Sequence, residues 1–264
     1  MKKSTKILAL VLALVLVVGA FAACGSETAE EGEKIVFGTN AEFPPFEFVS
    51  TNGVISSEDG TQSYDGIDMA IAKQIGEDAG KTAYINNIEF DSLIVALNNG
   101  QIDAIIAGMT ITDERKESVD FSTPYYTATQ VMIAKEGTEI TKAADMEGKT
   151  IAVVQGYTGE TCVQKLGYEY EAFKKGTECI LELVNGKCDV VVLDSATAQK
   201  YVADNEGLVI IEDTEAFEAE QYGIAVKKGN TELLDQINVT IDRMLADGSI
   251  STLAVSYQEA QADA

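Results

Sequence analysis

Leu97-Asn98-Asn99-Gly100-Gln101-Ile102-Asp103-Ala104-Ile105-Ile106-Ala107 has a second version in the same chain, Leu183-Val184-Asn185-Gly186-Lys187-Cys188-Asp189-Val190-Val191-Val192-Leu193. Each begins at the end of a helical pattern, over 92–99 in the first case and 180–185 in the second. Each stops at Asn-Gly, passes one polar residue, and continues as an apolar, β-branched run with aspartate near its start. A helix that stops and feeds a buried strand, repeated in two halves of one chain, predicts an α/β protein of two lobes with parallel-rich sheets. In such sheets a ligand lies outside the carboxyl ends of the strands. That singles out the residues following the two runs: Gly108 to Arg115, and Asp194-Ser195.

Two more apolar runs, 35–38 and 151–154, lead into Asn- or Gly-containing turns and read as strands entering loops. Between 67 and 79, Ile67, Ala70, Ile71, Ile75 and Ala79 share one helical stripe, and Asp68 is the expected N-cap. The polar segment 49–63, with Asn52-Gly53 and Asp59-Gly60, reads as an extended surface hairpin. Contact with a transporter is its functional alternative.

The first 23 residues read as a leader rather than as fold. Lys2, Lys3 and Lys6 precede an apolar run from Ile7 to Val18, and small residues follow. Twelve apolar residues are too few for a hydrocarbon layer of ~30 Å, which takes about 20, so a secretory signal peptide is expected rather than a membrane span. The sequence Phe21-Ala22-Ala23-Cys24 resembles the lipobox of bacterial lipoproteins, which implies that Cys24 is lipidated and anchors the protein to the outer face of the cell membrane. Residues 24–33 then form a polar, glutamate-rich tether, with a reach of roughly 15 to 18 Å.

Loss of three leader lysines takes the formal charge from −24 to −27, which repels nucleic acid and anionic lipid. The chain has no histidine, which removes Ser-His-Asp and Cys-His catalysis and every His-ligated metal site. Neither a metal nor any other cofactor is expected. Cys162, Cys179 and Cys188 leave one disulfide possible after export, with pairing open.

Several segments in a fixed order carry a family resemblance. They are Ala41 to Phe48 (AEFPPFEF), Gly66-Ile67-Asp68, Ala107 to Arg115 (AGMTITDER), Asp120 to Tyr126 (DFSTPYY), Gln155 to Glu160 (QGYTGE) and Glu220 to Ala225 (EQYGIA). From Lys34 to about Tyr257 the chain resembles the polar amino-acid-binding family of type II periplasmic binding proteins, near its glutamine-, histidine- and arginine-binding members. The resemblance implies a two-lobe fold whose cleft closes on a ligand, with two crossings near Tyr125–Thr129 and Glu218–Tyr222. It divides the chain into a discontinuous first lobe, 34–126 plus 221–264, and a second lobe, 127–220. The implied role is a monomeric solute-binding protein that delivers a free L-amino acid to the permease of an ABC importer.

The implied ligand contacts are Asn40, Phe43, Phe90, Gly108, Thr110, Arg115, Gln155, Thr158, Gly159 and Asp194. Arg115, one of two arginines in the chain, suits an α-carboxylate because a guanidinium is planar, forked and always charged. Thr110 adds a hydroxyl or amide, and Thr158 with Gly159 closes over the same carboxylate at a helix start. Asp194 and the Gly108 carbonyl take the α-ammonium, although an aspartate before a helix also serves as an N-cap. Phe43 and Phe90 sandwich the aliphatic stem, and Asn40, Gln155 and Leu193 face the side chain.

Cationic-ligand relatives tend to carry an acid at the place of Asn40. An amide there favours a neutral polar ligand such as glutamine or cystine, with Glu42 able to restore an acid and hence a cationic ligand. Two rivals share the fold: a dehydratase using Glu42 or Glu160, which have no histidine or lysine partner in sequence to tune them, and a sensor domain, which is expected to be fused to a further module.

Overall fold

The computed structural model describes residues 33–262; the expected signal peptide, Cys24 and most of the expected tether lie outside them. The first strands are β1 (Lys34–Thr39), β2 (Glu42–Phe43), β3 (Glu47–Val49), β4 (Ile55–Ser56) and β5 (Ser63–Asp65). They lead to α1 (Ile67–Asp78), β6 (Thr82–Asn87), α2 (Leu93–Asn98) and β7 (Ala104–Ile105). After α3 (Asp113–Ser118) and β8 (Val119–Phe121) comes the long β9 (Tyr126–Lys135). The middle of the chain is β10 (Ile151–Val154), α4 (Thr158–Leu166), β11 (Glu171–Phe173), α5 (Gly176–Val184), β12 (Val190–Asp194), α6 (Ser195–Asp204) and β13 (Leu208–Ile211). The return runs through β14 (Ala219–Tyr222), β15 (Ala225–Lys227), α7 (Thr231–Ala246) and α8 (Ser249–Ala262).

Of the three sheets among the described residues, the two larger are each built on three parallel strands: β6-β1-β7 in one and β11-β10-β12 in the other. Antiparallel strands extend both. β15 and β8 join the first sheet, while β9 and β13 join the second. The parallel-rich expectation therefore holds for the centre of each sheet and not for its extension, where every added strand pairs antiparallel. The two crossings are β9 and β14, paired antiparallel with Tyr126 opposite Tyr222 and Ala128 opposite Glu220.

The repeated stretch performs one task twice. Gly100 and Gly186 take φ of 73° and 69°, which a side chain disfavours, directly after Asn99 and Asn185 end their helices. Gln101 N donates to Ala96 O at 3.0 Å and Lys187 N to Glu182 O at 2.9 Å, closing the last carbonyls of both helices. The aspartate that follows then ties down the neighbouring strand. Asp103 Oδ2 accepts from Val36 N, and Asp189 Oδ2 accepts from Thr150 N, both at 2.8 Å.

Three local expectations change. Asp68 is not an N-cap: Gly66 is, with no side-chain cap bond, and Asp68 is wholly buried in the first turn of α1. The strand expected over 102–107 has only Ala104–Ile105 in the ladder, although Ile106 N still donates to Gly38 O at 3.0 Å. The polar loop 49–63 is more than a hairpin, since β4 and β5 join β3 and β2 in a four-stranded sheet. The cysteines Cys162, Cys179 and Cys188 are all free thiols.

Candidate functional site

The loop after β7 is where the first half of the site forms. Gly108 has φ 52°, and a Cβ on it would lie 2.5 Å from the Phe43 ring, so only glycine lets the chain pass this close to the aromatic. Its N–H donates to Asp68 Oδ2 at 2.8 Å, and Tyr125 Oη donates to the same oxygen at 2.8 Å. Beside Asp68 lies Glu47, equally buried. Asp68 Oδ1 and both Glu47 carboxyl oxygens receive no bond from an N–H or hydroxyl donor. Burial lifts Asp68 to about 7 and lifts Glu47 well above the carboxylate range, helped by the charge of Asp68, so that one proton held by Glu47 satisfies Asp68.

Arg115 stands in the first turn of α3, not in the loop itself, and Thr112 Oγ1 caps that helix by accepting from Arg115 N. Its guanidinium donates through Nη1 to Thr110 O at 2.7 Å and through Nη2 to Gly156 O at 2.9 Å. One cation thus bridges the loop after β7 and the loop after β10. It also lies over Phe90, 5.2 Å from the ring centroid. Burial pushes its pKa down, with Asp194, Glu220 and Glu114 opposing, and an arginine so placed stays charged.

From the other sheet come Tyr157, Thr158 and Asp194. Thr158 Oγ1 donates to Glu220 Oε2 at 2.6 Å and accepts from Gln130 Nε2 at 3.1 Å. Asp194, at the end of β12, precedes α6 but makes no side-chain cap bond; it accepts from Tyr222 Oη at 2.7 Å. Burial first, and then the charge of Glu220, raises Asp194 to about 7, against the Tyr222 hydrogen bond and Arg115. A carboxylate used neither as a cap nor in an ion pair, buried opposite a guanidinium, is suited to an ammonium ligand.

Seven of the ten sequence-derived contacts line one small cavity of about 10 Å³: Phe43, Phe90, Gly108, Thr110, Arg115, Thr158 and Asp194, with Ala107 and Tyr157. Three do not. Gln155 is exposed, and its backbone N–H is bound to Phe173 O. Gly159 is buried against β12, where a Cβ would lie 2.8 Å from Val192 O, so its smallness serves helix-to-sheet packing. Asn40 is buried but spent at both ends, donating to Ile88 O at 3.1 Å and accepting from Tyr157 Oη at 3.2 Å. Leu193, also outside the cavity lining, is core. Glu42 does not turn inward: it pairs with Lys175 at 2.8 Å.

Two residues were passed over by sequence reasoning. Tyr157 packs edge-on between Phe90, at 4.5 Å between centroids, and Phe43, at 5.4 Å. Its signal was present in the QGYTGE segment, where an aromatic follows the turn glycine. Glu220 meets Thr110 Oγ1 at 3.0 Å as well as Thr158, and nothing in local sequence ties a strand glutamate to hydroxyls so far upstream.

Residues 35–260 match the model of the bacterial extracellular solute-binding proteins, family 3. The arginine-binding extracellular protein ArtP of Bacillus subtilis is 30% identical over 92% of this chain and 94% of its own length. The glutamine-binding protein GlnH of the same organism is 31% identical over 92% and 93%. Among solved structures, the arginine-, lysine-, histidine-binding protein ArtJ of Geobacillus stearothermophilus superposes with a TM-score of 0.77 at 35% identity, covering 85% of this chain and 95% of that one. With two α/β lobes, a two-strand hinge and a shared cleft already established, the chain belongs to the bacterial extracellular solute-binding proteins of family 3, as an amino-acid-binding protein of the ABC-importer type and not an enzyme.

Proposed function

We propose that the protein closes over one free L-amino acid and presents it to an ABC permease. The observation that carries this reading is the convergence of seven residues, drawn from both lobes, on one cavity. Arg115, with Thr110 and Thr158, takes the α-carboxylate; Asp194 and the Gly108 carbonyl take the α-ammonium; Phe43 and Phe90 flank the stem, a place where Tyr157 now packs. A guanidinium and a carboxylate lining one buried cleft can give a zwitterion charge-assisted bonds at both ends. The lobes divide at the crossings, as 34–126 plus 221–264 and 127–220, and the protein works as a monomer.

For the ligand's side chain, two readings each have support. An amide rather than an acid at Asn40, and the commitment of Glu42 to Lys175, fit a neutral polar ligand such as glutamine or cystine. Two buried or half-buried acids, Asp194 and Glu220, against the single Arg115 fit a cationic one. The test is a thermal-shift screen of refolded protein against the free amino acids and cystine. Stabilisation by at least one of them is expected, and no shift with any of them at millimolar concentration would overturn the reading.

Anchoring through Cys24 belongs to the same proposal. Cys24→Ala should abolish incorporation of a fatty-acid probe and release the protein from the membrane face. Unchanged labelling would remove the lipoprotein reading.

A further inference from the structure

Glu220 sits on β14, opposite Ala128 in the crossing ladder, and is half-buried. Its Oε2 is the meeting point of three donors: Thr110 Oγ1 at 3.0 Å, Thr158 Oγ1 at 2.6 Å and Gln130 Nε2 at 3.4 Å. The two hydroxyls among them are the ones proposed to meet a ligand carboxylate, so their protons are already engaged by a carboxylate of the protein. The charge of Glu220 also reaches both ionic residues of the cavity, raising Asp194 and opposing the desolvation of Arg115.

With Asp194 ionised, as it is above about pH 7, the site holds two carboxylates and one guanidinium. A zwitterion adds one charge of each sign and leaves that imbalance unchanged. A ligand with a second carboxylate deepens it, and a ligand with a distal cation cancels it. Unbalanced charge in a part-buried cleft is costly, whereas the same charge in water is screened. We propose that Glu220 is a specificity-determining residue that orders ligands by net charge, cationic amino acids before neutral ones and neutral before acidic ones. This rests on the reading of the cleft as an amino-acid site and decides between the two ligand classes left standing there.

The experiment compares Glu220→Gln with the unaltered protein. Glutamine keeps an acceptor for the two threonine hydroxyls while losing the charge. Dissociation constants for arginine, glutamine and glutamate are measured by calorimetry at pH 8, where Asp194 is ionised, and at low salt. The unaltered protein should bind arginine most tightly, and in Glu220→Gln the arginine-to-glutamate affinity ratio should fall at least fivefold.

Glu220→Asp, which retains the charge, should keep the ratio. So should Glu218→Gln, which removes an equal charge from an exposed site two residues away. A ratio that moves less than fivefold in Glu220→Gln, an equal fall in Glu218→Gln, or tighter binding of glutamine or glutamate than of arginine by the unaltered protein would overturn the proposal. If amino acids bind and the ratio is unmoved, only the role of Glu220 fails. If none of the three binds, the amino-acid reading fails and this proposal with it.

Discussion

Asp68 illustrates what one residue carries that its neighbourhood in sequence does not reveal. Its place on α1 was legible from the apolar stripe around it, but its partner is Gly108, 40 residues on, and its buried companion is Glu47. A carboxyl lifted by burial to about 7 holds a proton in the folded state that the unfolded chain releases. Between the ordinary aspartate range and pH 7 the native state therefore binds more protons, and stability falls as pH rises through that window. Asp194 and Glu47 act in the same direction.

Surface carboxylates act in the opposite sense. Asp78, held low by Arg243, and Asp120, held low by Gly229 N–H and Lys228, contribute stability that disappears only as pH falls below the ordinary range. The melting temperature should thus rise from pH 8 to about pH 5.5 and drop below pH 4. In Asp68→Asn, which keeps an acceptor for Gly108 and Tyr125, the rise should be visibly shallower. An identical pH profile in the two proteins would show that the buried pair is not titrating.

At the scale of elements, the Asn-Gly stop and the aspartate after it were readable because each acts on its own chain within a few residues. Less readable was the second bond of that aspartate, to the strand alongside. Since Asp103 and Asp189 do the same thing in the two sheets, Asp103→Ala and Asp189→Ala should each cost about 1 to 2 kcal/mol in urea denaturation, as loss of a charge-assisted bond to a backbone N–H does. A loss below about 0.3 kcal/mol in both would mean that the bond contributes nothing net.

The same distinction between local and distant causes explains the site. The places of Arg115, Asp194 and Phe43 on one cavity were visible through spacing after strands and through resemblance, whereas Gly159 and Gln155 were placed by adjacency to a motif. The fold gives Gly159 to helix packing and leaves Gln155 in solvent. Tyr157, one position from Thr158, takes the inward place.

At the scale of the molecule, the cleft is spanned from end to end. Arg115 reaches Gly156 O, Tyr157 reaches Asn40, Thr110 reaches Glu220, and Lys174 and Lys175 pair with Asp91 and Glu42 at 2.8 Å each. The two lysine pairs are half-exposed and contribute little on their own. The buried contacts, together with a ligand, are what holds the lobes together, and the antiparallel crossings of β9 and β14 are the place for a hinge. Solution scattering should therefore give a smaller radius of gyration at saturating ligand than in refolded, ligand-stripped protein. Superimposable curves would count against hinge closure.

Two lobes could be read from a repeated pattern, and the proposal that they close on a zwitterion rests above all on Arg115. Calorimetric titration of the best-binding amino acid into Arg115→Ala and into the unaltered protein addresses that directly, with circular dichroism confirming that both are folded. Removing the guanidinium leaves a carboxylate unpaired in a closed cleft, at a cost of about 3 to 5 kcal/mol, so affinity should fall by hundreds-fold or more. A loss of less than fivefold in a folded Arg115→Ala protein would contradict the account and place the carboxylate anchor elsewhere.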